Sequence, residues 1–332
     1  MIIYPANYGT IVLFPGDQLE LLIHRSGIPL MPSWWSVQRD GVNVTASSSY
    51  VADVSAPGSY TGGCNADPGE SFSFAVVAGA TAPTVLRAKM NVRLPGVPFV
   101  QGYMRYDLAQ QQLIPCNEPY TAMGFTPSSA GSEVVDGCEA LFVAKQVVDW
   151  VHVELRAAAN PSTVIAARNA LLRRDGTVTD TDGESPLAFE AMPGDYRIAV
   201  MHRNHLGVVT DQAFALRGAP PMISFTGGIL ISMGAFLPAP TCGGQACAFT
   251  PGNTSHASAQ QCVAYVGANN DRDPILVRVG GGVPTNVASG YFLEDINMDG
   301  VVRYVGANND RDLILQAIGG SVPTNVIVGQ TP

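Results

Sequence analysis

The sequence predicts a mainly β chain: two β-sandwich domains followed by a small repeat pair built of loops and short helices. Three observations carry this. Short runs of alternating apolar and polar residues are separated by Gly-, Pro- and Asp-bearing turns, which is the spacing of sandwich strands. Only 14% of the 332 residues are charged, while Gly (35) and Pro (24) are plentiful, a mixture that favours strands and turns over long helices. Near the C-terminus the chain then repeats itself. Residues 265–287, YVGANNDRDPILVRVGGGVPTNV, and 304–326, YVGANNDRDLILQAIGGSVPTNV, agree at 18 of 23 positions, with a period from Tyr265 to Tyr304 of 39 residues.

Four segments follow. Residues 1–80 form the first sandwich, with strands at Thr10–Phe14, Leu19–Ile23 and Ser71–Ala75 and turns at Pro15-Gly16-Asp17, Asp40-Gly41 and Pro57-Gly58. Trp34 and Trp35 serve as inter-sheet core, or as a platform on which a sugar ring stacks. The run from Ser49 to Cys64, SSYVADVSAPGSYTGGC read from Ser48, resembles the late strands of secreted bacterial immunoglobulin-like modules. Those modules often pair such a cysteine with an earlier one. No cysteine stands near Phe14, so Cys64 is expected to be unpaired within its domain. Residues 84–226 are the second sandwich, with strands at Val85–Arg87, Phe99–Arg105, Val148–Arg156 and Tyr196–Met201. Residues 161–172 suit a short helix or a strand equally. Residues 227–255 are a Cys/Gly/Pro connector, and 256–332 hold the repeats.

The chemistry concentrates in one loop. Asp295-Ile-Asn297-Met-Asp299-Gly300 places side-chain oxygens at alternating positions of a tight turn, and Gly300 permits the sharp bend. The Val301 carbonyl is the next oxygen. The twelfth position, where an EF-hand supplies an acid, is Gly306. The next acids are Asp310 and Asp312, of which Asp312 is the expected closing ligand and Asp310 the second candidate. An all-oxygen, many-ligand set favours Ca2+ over Mg2+. The plainer reading of the same residues is an Asx-rich turn leading into a helix capped by Asn309 or Asp310 and stopped by Gly319-Gly320. In the first repeat the corresponding positions are His256, Ser258, Gln260 and Gln261, and only Asp271 and Asp273 persist, as a degenerate second site.

Residues 255–326 resemble dockerin modules, paired calcium-binding segments reading D-x-N-x-D-G, an acid, then a Leu/Ile-rich helix. The match is specific at Asp295, Asn297, Asp299 and Gly300, and departs in an insertion before Asp312 and in the acid-poor first copy. From about residue 84 onward, the order of a β module and then YxGxxNDRD repeats resembles a C-terminal module of large secreted proteins from surface-living bacteria. That resemblance implies export and an extracellular or cell-surface location; it does not imply a catalytic activity.

The remaining signals bound the function. A net charge of −9 argues against nucleic acid, whose phosphates need Lys and Arg. No apolar run is long enough to span a membrane. The first residues lack the basic and apolar regions of a signal peptide, so the numbering is expected to start at or near a mature form. Cys116, Cys138, Cys242, Cys247 and Cys262 are disulfide candidates in an oxidising compartment. His202 and His205 stand at a strand end and are read as an exposed hairpin, Asp180-Thr-Asp182-Gly183 as a plain turn, and Asn43 and Asn253 as chance glycosylation sequons. No nucleophile elbow, phosphate loop or HExxH motif occurs. The expectation is a secreted, calcium-stabilised structural or adhesive protein that self-associates, with Ile2–Tyr4 and Val326–Val328 as added strands. The alternative is a binding module for a protein or glycan partner.

Overall fold

The computed structural model describes residues 7–13, 20–22, 24–25, 28–29, 35–44, 51–54, 56–64, 67–78, 83–123, 132–217, 219–225, 241–242, 245–246, 249–255 and 262–329. The fold is mainly β, with several sheets and a few short helices. The chain divides into two compact units, Met1–Thr84 and Val85–Pro332. Among the described residues no helix is long and apolar enough to cross a membrane.

In the first unit, alternation does the work expected of it. Phe72, Phe74 and Val76 of strand Asp67–Ala78 turn inward while Ser71, Ser73 and Ala75 do not. They pack with Val37, Val54 and Tyr60, and the Tyr60 and Phe74 rings stack at 5.2 Å. Strand Asp67–Ala78 lies between Asn7–Leu13, to which it is parallel, and Gly58–Cys64, and Trp35–Arg39 and Val42–Asn43 complete a five-stranded sheet. Asp40 (φ +50°) and Gly41 (φ +82°) make the predicted turn between the last two. Trp34 lies outside the described residues, as do the side chain of Trp35 and residues 2–4.

The second unit is organised by strand Val147–Ala157, in which every residue up to Arg156 is buried. It pairs on one side with Val164–Arg173 and on the other with Gly194–His202, inside a ten-stranded sheet. Of residues 161–172, those from Val164 onward resolve as strand, Val164–Arg173, where β-branched Val164 and Ile165 fit the pleat. Phe99–Arg105, read as one strand, is instead a small hairpin, because Gln101 (φ +53°) and Gly102 (φ +81°) take consecutive left-handed conformations. Trp150 is fully buried, meets Phe142 edge-on, and donates Nε1–H to the Pro115 carbonyl at 2.9 Å. A disulfide joins Cys116 to Cys138, the first residue of helix Cys138–Lys145, with their Cα atoms 5.4 Å apart.

The repeats exchange strands. The first strand of the first copy, Cys262–Ala264, pairs with the last strand of the second, Val326–Val328. The first strand of the second copy, Val301–Arg303, pairs with the last strand of the first, Val287–Ser289. The registers correspond: Cys262 faces Val328 as Val301 faces Ser289. The two copies are therefore related by a pseudo-twofold axis, and Val326–Val328 is paired inside its own chain. Val263, Ile275 and Val279 meet their counterparts Val302, Ile314 and Ile318 in a shared core that also includes Ile296 and Leu206. Met298, from the acidic loop, belongs instead to the large core around Trp150. The repeat pair is thereby welded to the sheet of its own unit.

Candidate metal centre

The repeated Asn-Asp-Arg-Asp segment has one job per residue, done twice. Asn309 caps helix Asp310–Ala317: its Oδ1 accepts from Asp312 N at 2.9 Å, and its Nδ2 donates to the Gly306 carbonyl and to Asp312 Oδ2. Asn270 does the same with Asp273 and Gly267. This is an N-cap with a reciprocal acid three residues on. Arg311 pairs with Asp312 and lies over the Tyr304 ring, as Arg272 pairs with Asp273 and lies over Tyr265. Each guanidinium is also within electrostatic reach of the other repeat's tyrosine. Gly319 (φ +104°) and Gly320 (φ +77°) end the helix as predicted.

The first Asp of the segment is a buried latch. Asp310 accepts from the backbone N–H of Ile296 at 2.8 Å, of Asn297 at 3.3 Å and of Arg303 at 2.8 Å. Asp271 accepts from Thr254, Ser255 and Ala264, at 2.8–2.9 Å. The residue that reaches the acidic loop is thus Asp310, whereas Asp312 is half exposed and committed to the helix cap. Despite partial burial, the Asn309 amide and Arg311 hold Asp312 below the usual carboxylate value. Asp273 sits likewise at its own cap, so Asp271 and Asp273 do not face one site. His256, Ser258, Gln260 and Gln261 fall outside the described residues.

The loop is tightly wound. Asp295 accepts from Asp299 N and Gly300 N, Asn297 Oδ1 from Asp299 N at 2.8 Å, and Asp299 Oδ1 from Val301 N at 2.9 Å. Met298 (φ +58°) and Gly300 (φ +84°) supply the left-handed turns. Gln111, which follows the short helix Asp107–Gln110, donates Nε2–H to the Asp299 carbonyl at 2.8 Å and docks the loop on the end of that helix. Burial, then repulsion from Asp295, pushes Asp310 up to about 8. Burial also raises Asp295 to about 6. Two buried carboxylates in one small space form an excess of negative charge that a cation would relieve.

The donor set of Asp295, Asn297, Asp299, the Val301 carbonyl and Asp310 is all oxygen and fits a hard divalent cation in chemistry. Its spacing is looser than a closed shell. Among the described residues the only three His, Cys, Asp or Glu groups with ligand atoms within 4.8 Å of one another are Cys116, Cys138 and Glu139, whose sulfurs are spent in the disulfide. Arg303, at the end of the strand Val301–Arg303 that follows the loop, donates Nη1–H to Asp299 Oδ2 at 2.7 Å and to the Val301 carbonyl at 3.3 Å.

Behind the loop lies a buried polar anchor that the sequence reading missed. His202 and His205 are not an exposed hairpin tip: both are 1% exposed. They face each other across the predicted hairpin, with Nδ1 atoms 3.0 Å apart, and His205 Nε2 meets the Pro95 carbonyl at 2.7 Å. Asp149 accepts from Arg203 Nε at 2.7 Å, Tyr291 Oη at 2.7 Å and Trp150 N at 2.8 Å, with His202 Nε2 at 3.2 Å. Burial alone would raise Asp149, but Arg203, then His202 and Tyr291, hold it well below the carboxylate range. Burial lowers both histidines. Arg203 also donates to the Phe292 carbonyl and lies 4.3 Å from the Tyr291 ring centre, and Asn204 donates to the Asp295 carbonyl at 2.7 Å. The one local hint was Asp149, an acid flanked by Val147, Val148, Trp150 and Val151 in a buried strand.

The other candidates are placed as follows. Asp182 accepts from Glu184 N and Ser185 N, and Asp180 binds Arg168, so this segment is a turn. Asn253 is buried, out of reach of a glycan. Cys262 lies in the strand that pairs with Val326–Val328, and Cys242 in a two-residue strand opposite Gln245. Cys247 and the side chains of Cys64 and Cys242 lie outside the described residues. No protein-family model, curated protein or solved structure matches the chain.

Proposed function

We propose that this chain is a non-catalytic structural or adhesive module of an extracellular or cell-surface protein, with immunoglobulin-like β domains and a dockerin-like repeat clasp that calcium stabilises. The observation that carries the reading is the reciprocal strand exchange. The polar side chains of the repeated motif are engaged in capping, latching and cross-repeat stacking rather than in a reactive site. The titratable cluster at Asp149 supports the same reading, because it is sealed from solvent. Calcium would be held by Asp295, Asn297, Asp299, the Val301 carbonyl and Asp310. Its binding energy would add to folding, since the donors are brought together only in the folded chain.

The test is a melt in EDTA and in 10 mM calcium, beside Asp295→Ala/Asp299→Ala. At 100-fold over its dissociation constant, calcium adds about 2.7 kcal/mol. The double variant, which also loses the loop's own hydrogen bonds, should melt at one temperature in EDTA and in calcium. Coincident wild-type melts would remove calcium from the proposal. Negative-stain images and sedimentation across concentration test self-association, which a persistent monomer would rule out.

A binding module is the second reading, favoured by a cleft of about 500 Å3 beside the loop, lined by Arg105, Asn297, Asp299, Asp312 and Gln316 among others. Clefts with a few convergent polar groups are common ligand sites. A glycan array and a pull-down that Gln316→Ala leaves unaffected would count against it.

A further inference from the structure

We infer that the guanidinium of Arg303 is the acidic loop's own tethered cation, and that a divalent ion enters only by displacing it. This rests on the calcium reading for its second half alone. Arg303 touches three of the five donor residues. Its Nη1–H groups reach Asp299 Oδ2 and the Val301 carbonyl, and its backbone N–H binds Asp310 Oδ2. A carboxylate and a carbonyl gathered on one positive group are the contacts a metal ion would otherwise make. The side chain is only partly exposed, at 29%, and its partner Asp299 at 21%, so solvent screens the pair less than an open surface bridge.

The duplicated sequence supplies the control. The position that corresponds to Arg303 in the first repeat is Ala264. The backbone bond survives there, with Ala264 N donating to Asp271 Oδ2 at 2.8 Å, but the guanidinium does not. The aligned loop positions in that copy are His256, Ser258 and Gln260, without an acid. The positive side chain thus occurs only in the copy whose loop carries the negative ones.

The closing experiment uses the full chain and three variants: Arg303→Gln, Asp299→Asn and the double. In EDTA, Arg303→Gln should melt about 5 °C below wild type, and the double variant should recover part of that loss because both charges leave together. Calorimetric titration with calcium chloride should show Arg303→Gln binding about tenfold more tightly than wild type. An unchanged EDTA melt for Arg303→Gln, or a double variant that loses the simple sum of the two single losses, would overturn the tethered cation. Equal calcium affinities in wild type and Arg303→Gln would overturn the competition. If neither protein binds calcium while Arg303→Gln is destabilised, the calcium reading falls and Arg303 stands as the cation of Asp299 alone, beside the buried Arg203 that acts on Asp295.

Discussion

Replacing Asp149 by Asn tests what ties the repeat clasp to the sheet. The change preserves shape and removes one charge. Two carboxylate oxygens now serve three donated hydrogen bonds and a histidine contact, from Arg203, Tyr291, Trp150 and His202. An amide offers one oxygen, so at least one of these donors would face an NH2 group. Arg203, 1% exposed, would keep its charge but lose its hydrogen-bonded counter-charge. Breaking one side of a buried pair costs about 3–5 kcal/mol. For a unit this large each kcal/mol moves the midpoint by about 2–4 °C, so a loss on the order of 10 °C is expected. Differential scanning calorimetry gives the midpoint, and hydrogen exchange locates the effect. Amides of residues 291–303 should lose protection together with those of strand Val147–Ala157. A variant within about 1 kcal/mol of wild type would show that the anchor is not what holds the clasp, and would refute the argument.

Two further predictions concern pH and the loop. His202 and His205 are depressed by burial, so their contribution is full above the ordinary histidine value of about 6.5 and is lost as the pH falls below it. Asp295 and Asp310, raised to about 6 and about 8, act with the opposite sign over part of this range. The histidine share is therefore read as a difference: the stability gap between wild type and His205→Gln should narrow from pH 7.5 to 5.5, and a constant gap would contradict it. Gly300→Ala should cost about 1–3 kcal/mol in thermal melts, because the residue sits at φ +84° and its Cβ would come within 2.8 Å of Gln111 and Leu113 side-chain atoms. A neutral Gly300→Ala would mean that the loop is not docked as described.

Local patterns were legible where local physics decides. The Ser71–Ala75 alternation, the Asp40-Gly41 turn, the Asn309 cap and the Gly319-Gly320 stop all follow from dihedral preferences and short-range hydrogen bonds. Residues 161–172 stayed ambiguous because only pairing with the buried Val147–Ala157 strand selects the pleat. The difference between Asp312, which caps its helix, and Asp310, which latches the loop, was hidden for a related reason. Spacing along the chain ranks both, but only the returning strand, which brings Arg303 N to Asp310, selects one. Asp149 and Tyr291 are 142 residues apart, and no periodicity connects them. The burial of His202 and His205 was hidden likewise, since their partners Asp149, Pro95 and Phe249 are distant in the chain.

Strand exchange between the copies has a consequence for how such a unit can be built at all. Each copy offers two strands, and each strand finds its mate only in the other copy. A solitary copy would leave both ribbon edges unmatched and would have to borrow a second molecule. Fusing two copies in one chain turns that encounter into an intramolecular one, governed by the effective concentration a short tether confers rather than by protein concentration. Copies of this kind should therefore work in twos, and removing the last strand, Val326–Val328, should unseat the first copy's Cys262–Ala264 even though more than sixty residues separate them along the chain.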